Sequence, residues 1–450
     1  MGLFNGKFKK LRYNANPPRF LALGFLGIII LGSLLLGLPI SWNPGVHIHY
    51  LDALFTAASA VCVTGLTVVD TANSYNIFGQ LVIMLLIQFG GLGFMITAVV
   101  TALFFGRRIT VSDRKAIKET MGSALAEGVS KVIRKIVQVT LVIEMIGALL
   151  LGLAWLKQYG IRSFYLGLFH SISAFNNAGL DLMGDFRSMS PFRDDPFILL
   201  VLTFMVLLGG IGYPVIGELL RFHKRHKLSV NTKISLTVTL ILLSITFFGI
   251  LLFESGNQAT FGSLGIKDKV FNAMFYAVVP RTAGFSTMSS AGLTQSSLFL
   301  FIIMMLIGAS PGSTGGGIKT NTIAVVLSAR WAVIRGRKNP VMFKRRVDHH
   351  TVLRADTIFV LYILLVSIAT MVLTVSEHTL FEKALFEVVS AAATVGFTTG
   401  ITPDLSSIGK LTIIFTMYIG RVGPLTLAYA VAKKGRRQLY DYPREDIILS

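Results

Sequence analysis

One cysteine in 450 residues, Cys62, excludes an internal disulfide framework and any cysteine-based metal cluster. Charge is scarce too: 14% of residues are charged against 53% hydrophobic, more apolar surface than a soluble core could hide. Acids are the rarer sign, 22 against 42 lysines and arginines. The chain has no H-E-x-x-H motif, no G-x-G-x-x-G nucleotide fingerprint and no paired acids in its apolar stretches, which leaves little for a membrane enzyme to work with. What remains is a polytopic membrane protein.

The formal charge of +20 would suit nucleic acid until the cations are placed. In an eight-span reading, 31 of the 42 lysines and arginines fall in segments 1–19, 106–135, 221–233, 330–354 and 433–450. These segments lie on one side of the membrane, and most acids lie on the other. By the positive-inside rule that basic side is the cytoplasm, and it holds both termini. Nucleic acid is not needed as a partner. The basic face suits anionic lipid headgroups or an acidic soluble protein. Lys7, Lys9, Lys10, Arg12 and Arg19 precede an apolar run from Phe20 to Ile40. That run is longer than a signal-peptide core and lacks a small-x-small site near its end, so it reads as a retained first helix.

The chain divides into a cytoplasmic N-terminus (1–19), unit 1 (20–105), a cytoplasmic linker (106–131), unit 2 (132–222), unit 3 (223–335), unit 4 (336–432) and a cytoplasmic tail (433–450). Each unit reads as a span, a half-depth hairpin and a second span. The stretch from Asp52 to Val63 would make a helix of about 18 Å, against a hydrocarbon core of about 30 Å. It can enter the bilayer but must turn back, at Gly65. Similar stretches end at Gly179, Gly284 and Gly396, spaced 114, 105 and 112 residues apart. A bulky apolar residue stands ten positions before each glycine: Phe55, Phe169, Met274 and Phe386. Backbone that leaves a helix at membrane depth survives only where protein or water satisfies it. One glycine of this kind is most simply a helix-packing residue. Four, each closing an apolar segment too short to span, are not explained by packing alone. The fold class expected is an all-α membrane protein of four span–pore-loop–span repeats. Eight transmembrane helices and four re-entrant pore helices would surround a pseudo-fourfold central pore.

The four turns read Val63-Thr64-Gly65, Asn177-Ala178-Gly179, Thr282-Ala283-Gly284 and Thr394-Val395-Gly396. None contains a carboxylate. The candidate ligands are therefore backbone carbonyls, with Thr and Asn oxygens as helpers, and neutral carbonyls can replace the hydration shell of a large alkali cation. Glycine supplies positive φ at no Cβ cost, and helix C-termini aimed at the axis add partial negative charge.

These features resemble the Trk/Ktr/HKT superfamily of potassium transporters, most closely its bacterial KtrB-type pore subunits. The resemblance covers nearly the whole chain. It implies a selectivity filter at the four turns, with potassium as the transported ion, sodium as a candidate activator and no organic cofactor in this chain. It also implies a multi-pass protein of the bacterial plasma membrane. The protein would be a homodimer regulated by a separate cytoplasmic RCK-type (KtrA-like) nucleotide-binding ring. Serine in the first loop of some plant members favours sodium, whereas all four positions here are glycine. Lacking further spans before Phe20, the chain departs from the ten-span TrkH pattern.

Two features lie below the expected filter. The second span of unit 3 is interrupted by Gly308-Ala-Ser-Pro311-Gly312-Ser313-Thr314-Gly315-Gly316-Gly317-Ile-Lys319. Proline and glycine cannot continue a helix there. The run superficially suggests a phosphate-binding loop, but Ile318 follows Gly317 where lysine is required and the run follows an apolar span. In the family the matching segment is a flexible intramembrane gate. Arg421, in Met417-Tyr-Ile-Gly420-Arg421-Val-Gly423-Pro424, is a costly guanidinium within a span. The family places an arginine on the matching helix as a barrier in the pore, and a snorkelling or helix-tying arginine is the alternative. Pro280 and Arg281 precede the third turn, where a structural tie behind the filter is expected. Asp70, Asp181, Asp185 and Asp404 are either mouth acids that concentrate cations or ordinary loop acids. Glu144 reads as a structural pairing within a span. His223, His226 and Asp348-His349-His350 read as solvated. The leading expectation is channel-like potassium uptake through a single-glycine carbonyl filter. The alternatives are a sodium-conducting or sodium/potassium symporting member of the same fold, and a secondary carrier for another solute.

Overall fold

A computed structural model of the chain describes residues 17–93, 129–222 and 226–432. Most of the expected linker, unit 1 beyond Gly93, His223, the start of the N-terminus and the tail lie outside the described residues. Unit 1 holds α1 (Pro17–Leu36), α2 (Tyr50–Cys62) and α3 (Ile77–Leu92). Unit 2 holds α4 (Val129–Tyr159), α5 (Arg162–Phe175), α6 (Pro196–Ile211) and α7 (Tyr213–Leu220). Unit 3 holds α8 (Val230–Glu254), α9 (Ile266–Val278), α10 (Gln295–Leu306) and α11 (Thr320–Ile334). Unit 4 holds α12 (His349–Glu377), α13 (Phe381–Ala393), α14 (Ser407–Val422) and α15 (Pro424–Val431). A small hairpin, Val341–Met342 paired with Arg345–Arg346, joins units 3 and 4.

The long helices and the short ones bury opposite kinds of surface. The first helix of each unit (α1, α4, α8, α12) is long and apolar enough to cross a membrane. Each leaves large side chains outside, among them Leu31, Met145, Phe248 and Met371. Such a surface is stable only against lipid. The second helix of each unit (α2, α5, α9, α13) is 13 or 14 residues long and is wrapped by protein. In α2, Ala53, Phe55, Ala57, Ala58, Ala60 and Val61 are all fully buried. Small residues let neighbouring helices approach closely, as α13 and α14 do: a Cβ on Gly420 would strike the Ala392 carbonyl.

The second spans of units 2 and 4 are sharply bent, by 98° between α6 and α7 and by 91° between α14 and α15. The cause is local. Gly212 (φ 97) and Gly423 (φ 91) leave helical space, and Pro214 and Pro424 open the next helices, where their missing N–H costs nothing. In unit 1, α3 likewise ends on Gly93 (φ 80). In unit 3 the break is longer, from Ile307 to Lys319.

Bonds between successive units close the bundle. Tyr165 Oη donates to Gln80 Oε1 at 2.8 Å between units 1 and 2, and Asn272 Nδ2 donates to the Arg193 carbonyl at 2.8 Å between units 2 and 3. The rings of Phe301 and Phe397 stack 5.7 Å apart between units 3 and 4. Lys410 pairs with Asp52 at 2.6 Å, and Tyr418 Oη donates to the Ala22 carbonyl at 2.8 Å, joining unit 4 back to unit 1.

Candidate functional site

Each short helix ends in a turn of the same backbone form. The first residue of each triplet has positive φ (Val63 57°, Asn177 60°, Thr282 96°, Thr394 52°). The glycine two positions on has it too (Gly65 92°, Gly179 68°, Gly284 66°, Gly396 97°). Three of the four leading residues are β-branched, for which this region is a genuine outlier. Such strain costs on the order of 1–3 kcal/mol per residue and persists where the surroundings impose it, typically at functional sites. Units 1, 2 and 4 share an equivalent hydrogen bond across the turn: Thr64 N to Ser59 O at 2.8 Å, Ala178 N to Ser173 O at 2.7 Å and Val395 N to Ser390 O at 2.8 Å. Ser59 Oγ and Ser390 Oγ also accept from the Gly65 and Gly396 amides, at 3.0 and 3.1 Å.

Unit 3 reaches the same turn differently. There α9 continues into a 3₁₀ turn, Val279–Arg281, and Ala283 N bonds to Val279 O at 3.0 Å. A 3₁₀ turn advances each residue further round the axis than an α-helix does, so the buried face shifts. Phe55, Phe169 and Phe386 are buried as their spacing requires. Met274 is 37% exposed instead, and Phe275 is fully buried in its place.

The four turns meet. A Cβ built on Gly65 would lie 2.5 Å from the Ala178 carbonyl oxygen. One on Gly179 would lie 2.5 Å from that of Ala283, one on Gly284 2.8 Å from that of Val395, and one on Gly396 would strike that of Thr64. The order 1-2-3-4-1 closes on itself. No side chain larger than hydrogen fits at these positions, because the neighbouring turn's carbonyl occupies the space. All four triplets share one centre, with Val63, Thr64, Asn177, Ala178, Thr282, Ala283, Thr394 and Val395 buried around it. The Thr64 and Thr394 hydroxyls are buried without a protein partner among the described residues. Asn177 Nδ2, by contrast, donates to Thr282 Oγ1 at 3.2 Å.

The broken segment lies against this ring. Gly315 packs on Thr282, and Gly316 on Thr394; a Cβ at either would strike the threonine hydroxyl. Thr314 Oγ1 donates to Asn177 Oδ1 at 2.8 Å, and Tyr213 N donates to the Gly312 carbonyl at 3.0 Å. Ser310 N and Thr314 N reach the Gly210 and Gly209 carbonyls at 3.0 and 3.3 Å, and Ser313 Oγ donates to Ser310 O at 2.5 Å. Pro311 turns its carbonyl towards Gly212, and Gly308 and Gly317 pack on each other. Lys319 Nζ donates to Gly315 O at 2.5 Å and to Gly316 O at 3.4 Å. Arg421 spans two units, its guanidinium donating to the Thr314 and Gly90 carbonyls. The run Gly308–Gly312 also spells the G-x-S-x-G of a hydrolase elbow. It joins two helices with no strand before it, and Ser310 Oγ meets Thr320 Oγ1 at 3.4 Å.

The remaining candidates are accounted for by their contacts. Arg281 is buried behind the third turn and donates to Thr239 Oγ1 at 3.3 Å and to the Gly308 carbonyl at 3.5 Å, a tie between α8 and the break. Asp70 accepts from the Phe186 amide at 2.8 Å, Asp185 from Asn73 Nδ2 at 3.0 Å, and Asp181 from the Met183 amide at 2.9 Å. Asp404 is exposed. Asp70 and Asp185 thus join the loops of units 1 and 2. Among the described residues no cluster of histidines, cysteines and acids could hold a metal ion. The bend at Gly212 belongs to the site, since Gly212 touches the break; the bend at Gly423 follows Arg421 by two residues. A glycine followed at once or after one residue by proline was their signal.

Four glycine turns meeting in a closed cycle, among helices long and apolar enough to cross a membrane, define a multi-pass membrane protein. The chain belongs to the TrkH cation transport protein family, whose model matches residues 33–438. It is 40% identical over 418 residues to the Ktr system potassium uptake protein B of Bacillus subtilis, covering 93% of each chain. It is 37% identical over 448 residues to the potassium/sodium uptake protein NtpJ of Enterococcus hirae, covering 98% of this chain and 99% of that one. Its fold is that of the potassium transporter TrkH from Vibrio parahaemolyticus, with a TM-score of 0.69 and 20% identity, covering 91% of this chain and 84% of that one.

Proposed function

We propose that the chain is a potassium uptake protein of the cell membrane, channel-like in mechanism, and that the four-glycine ring is its selectivity filter. The observation that carries this reading is the closed cycle in which each filter glycine meets the carbonyl of the next unit's turn. A dehydrated cation on the axis would be held by the carbonyls of Thr64, Ala178, Ala283 and Val395, with the unpartnered Thr64 and Thr394 hydroxyls beside them. Neutral oxygens hold a monovalent ion without trapping it. The relatives named for potassium uptake support potassium as the cargo.

In this reading the segment Gly308–Lys319 is the gate. It lies directly under the turns of units 2, 3 and 4, and Arg421 pins it through Thr314. Opening requires those bonds to be exchanged for water. The guanidinium also sets a positive charge in the path of a cation, which a low-dielectric surround makes effective. The Ktr system names of several relatives support a partner subunit, here a cytoplasmic nucleotide-binding ring beneath a dimer, with both termini of the chain on that side. Sodium conduction is the second reading, favoured by the relative named for potassium and sodium uptake.

The test is uptake by cells that lack their own potassium transport. The intact chain restores growth at low potassium, and Gly65→Ser and Gly284→Ser each reduce potassium uptake by more than about tenfold, the effect of adding 1–3 kcal/mol of strain at a turn. Unchanged potassium uptake in both variants would refute the filter assignment.

A further inference from the structure

Behind the second turn lies a buried polar cluster that the conduction reading leaves unused. Glu144, on α4, is 2% exposed and faces two amides. Its Oε1 accepts from Asn176 Nδ2 at 2.8 Å and its Oε2 from Gln88 Nε2 at 3.2 Å. Asn176 Nδ2 also donates to Gln88 Oε1 at 3.1 Å and to the Ile172 carbonyl at 2.9 Å. Ser171 Oγ donates to the Glu144 backbone carbonyl at 2.5 Å, seating α5 on α4 beside the carboxylate. Asn176 is the residue immediately before Asn177-Ala178-Gly179. Its Oδ1 rests on Gly91, where any Cβ would collide. Two side chains, Gln88 of unit 1 and Glu144 of unit 2, thus converge on the last residue before the turn.

We propose that Glu144 is a positioning residue for the second turn: its two oxygens hold Asn176 and Gln88, and through Asn176 they fix the aim of the Asn177 and Ala178 carbonyls. The proposal rests on the filter reading and names a residue for it that does not touch the ion. The argument is one of donor counting. Both Glu144 oxygens face NH₂ groups and act there as acceptors, and Gln88 still has its oxygen free for Asn176. An amide at position 144 would have one acceptor for two donors, and its own NH₂ would face another. No rotation of Gln88 relieves this, because turning it over sets its NH₂ against that of Asn176. A buried donor left unsatisfied is costly, and the flexible partner is the loop. Exchanging the two residue types, with glutamine at 144 and glutamate at 88, again gives the NH₂ groups of the cluster an acceptor each.

The experiment measures rubidium and sodium uptake by the full chain in cells without other potassium transport, with membrane abundance and thermal stability in detergent read alongside. Glu144→Gln is expected to lower the rubidium-over-sodium preference by about tenfold, the effect of one lost buried hydrogen bond to a charged group. The double variant Glu144→Gln/Gln88→Glu is expected to bring preference back to within about threefold of the intact chain. Asn176→Ser reads the same contact from the loop side and should show the same loss even if Glu144→Gln fails to reach the membrane. The proposal is overturned if Glu144→Gln or Asn176→Ser keeps the native preference, or if the exchange restores abundance and stability but not preference. Gly179→Ser in the same assay separates the two ideas. If it leaves preference unchanged, the filter reading itself fails. If it changes preference while the exchange does not rescue, only the role of Glu144 is lost.

Discussion

The ring of turns and the broken segment beneath it are both glycine-rich, both buried and in contact, yet they are held in opposite ways. In units 1, 2 and 4 the turn is closed by a bond six residues long or shorter, from Thr64 to Ser59, Ala178 to Ser173 and Val395 to Ser390. The segment Gly308–Lys319 keeps short bonds of its own, from Ser313 to Ser310 and from Lys319 to Gly315 and Gly316, but its ties to the bundle run to distant partners: Asn177, Gly209, Gly210, Tyr213 and Arg421. A turn held by its own helix moves only if that helix unwinds. In the proposed gating reading, a segment held by other units is the part that a shift of those units would release. Glycine serves both, but at Gly65 and Gly396 it admits a neighbour's carbonyl, whereas at Gly315 and Gly316 it admits a threonine hydroxyl.

The largest effect should come from the ring. Gly396→Ala places a methyl group on the Thr64 carbonyl at a φ that disfavours any side chain, and potassium uptake should fall by about a hundredfold or more, as strain and collision add. Arg421→Ala removes two carbonyl contacts and the barrier charge. Rubidium flux should rise roughly tenfold with loss of its voltage dependence, a shift of about 1–2 kcal/mol. Thr314→Val cuts only the links to Asn177 and Phe175, and flux should rise about threefold with preference unchanged. If preference also changes, ring and segment are not separable. The smallest effect is on stability: Lys410→Met breaks the pair with Asp52 between units 4 and 1, and thermal unfolding in detergent should begin a few degrees lower, about 1 kcal/mol.

The same contrast decides what the sequence could reveal. The turns were legible because their determinants are local: an apolar segment too short to cross, small residues, and a glycine at its end. The shared ten-residue spacing of Phe55, Phe169 and Phe386 goes with shared burial. Met274 did not obey it, because Pro280 draws the end of the third helix into a 3₁₀ turn and rotates the buried face. The break in unit 3 was legible as a run of proline and glycine, whereas the bends at Gly212 and Gly423 hid within apolar spans of ordinary length. The partners of the segment were not legible at all. Thr314 meets Asn177 across 137 residues and Arg421 meets Thr314 across 107, and no periodicity links positions so far apart. Glu144 could be read as paired, but its amides lie 56 and 32 residues away.

The most direct measurement is the position of a heavy potassium analogue, rubidium or thallium, located by anomalous scattering in the purified protein. The account predicts one strong site on the common axis, within coordination distance of the Thr64, Ala178, Ala283 and Val395 carbonyls. An ion found only elsewhere in the bundle, with the axis empty, would contradict it.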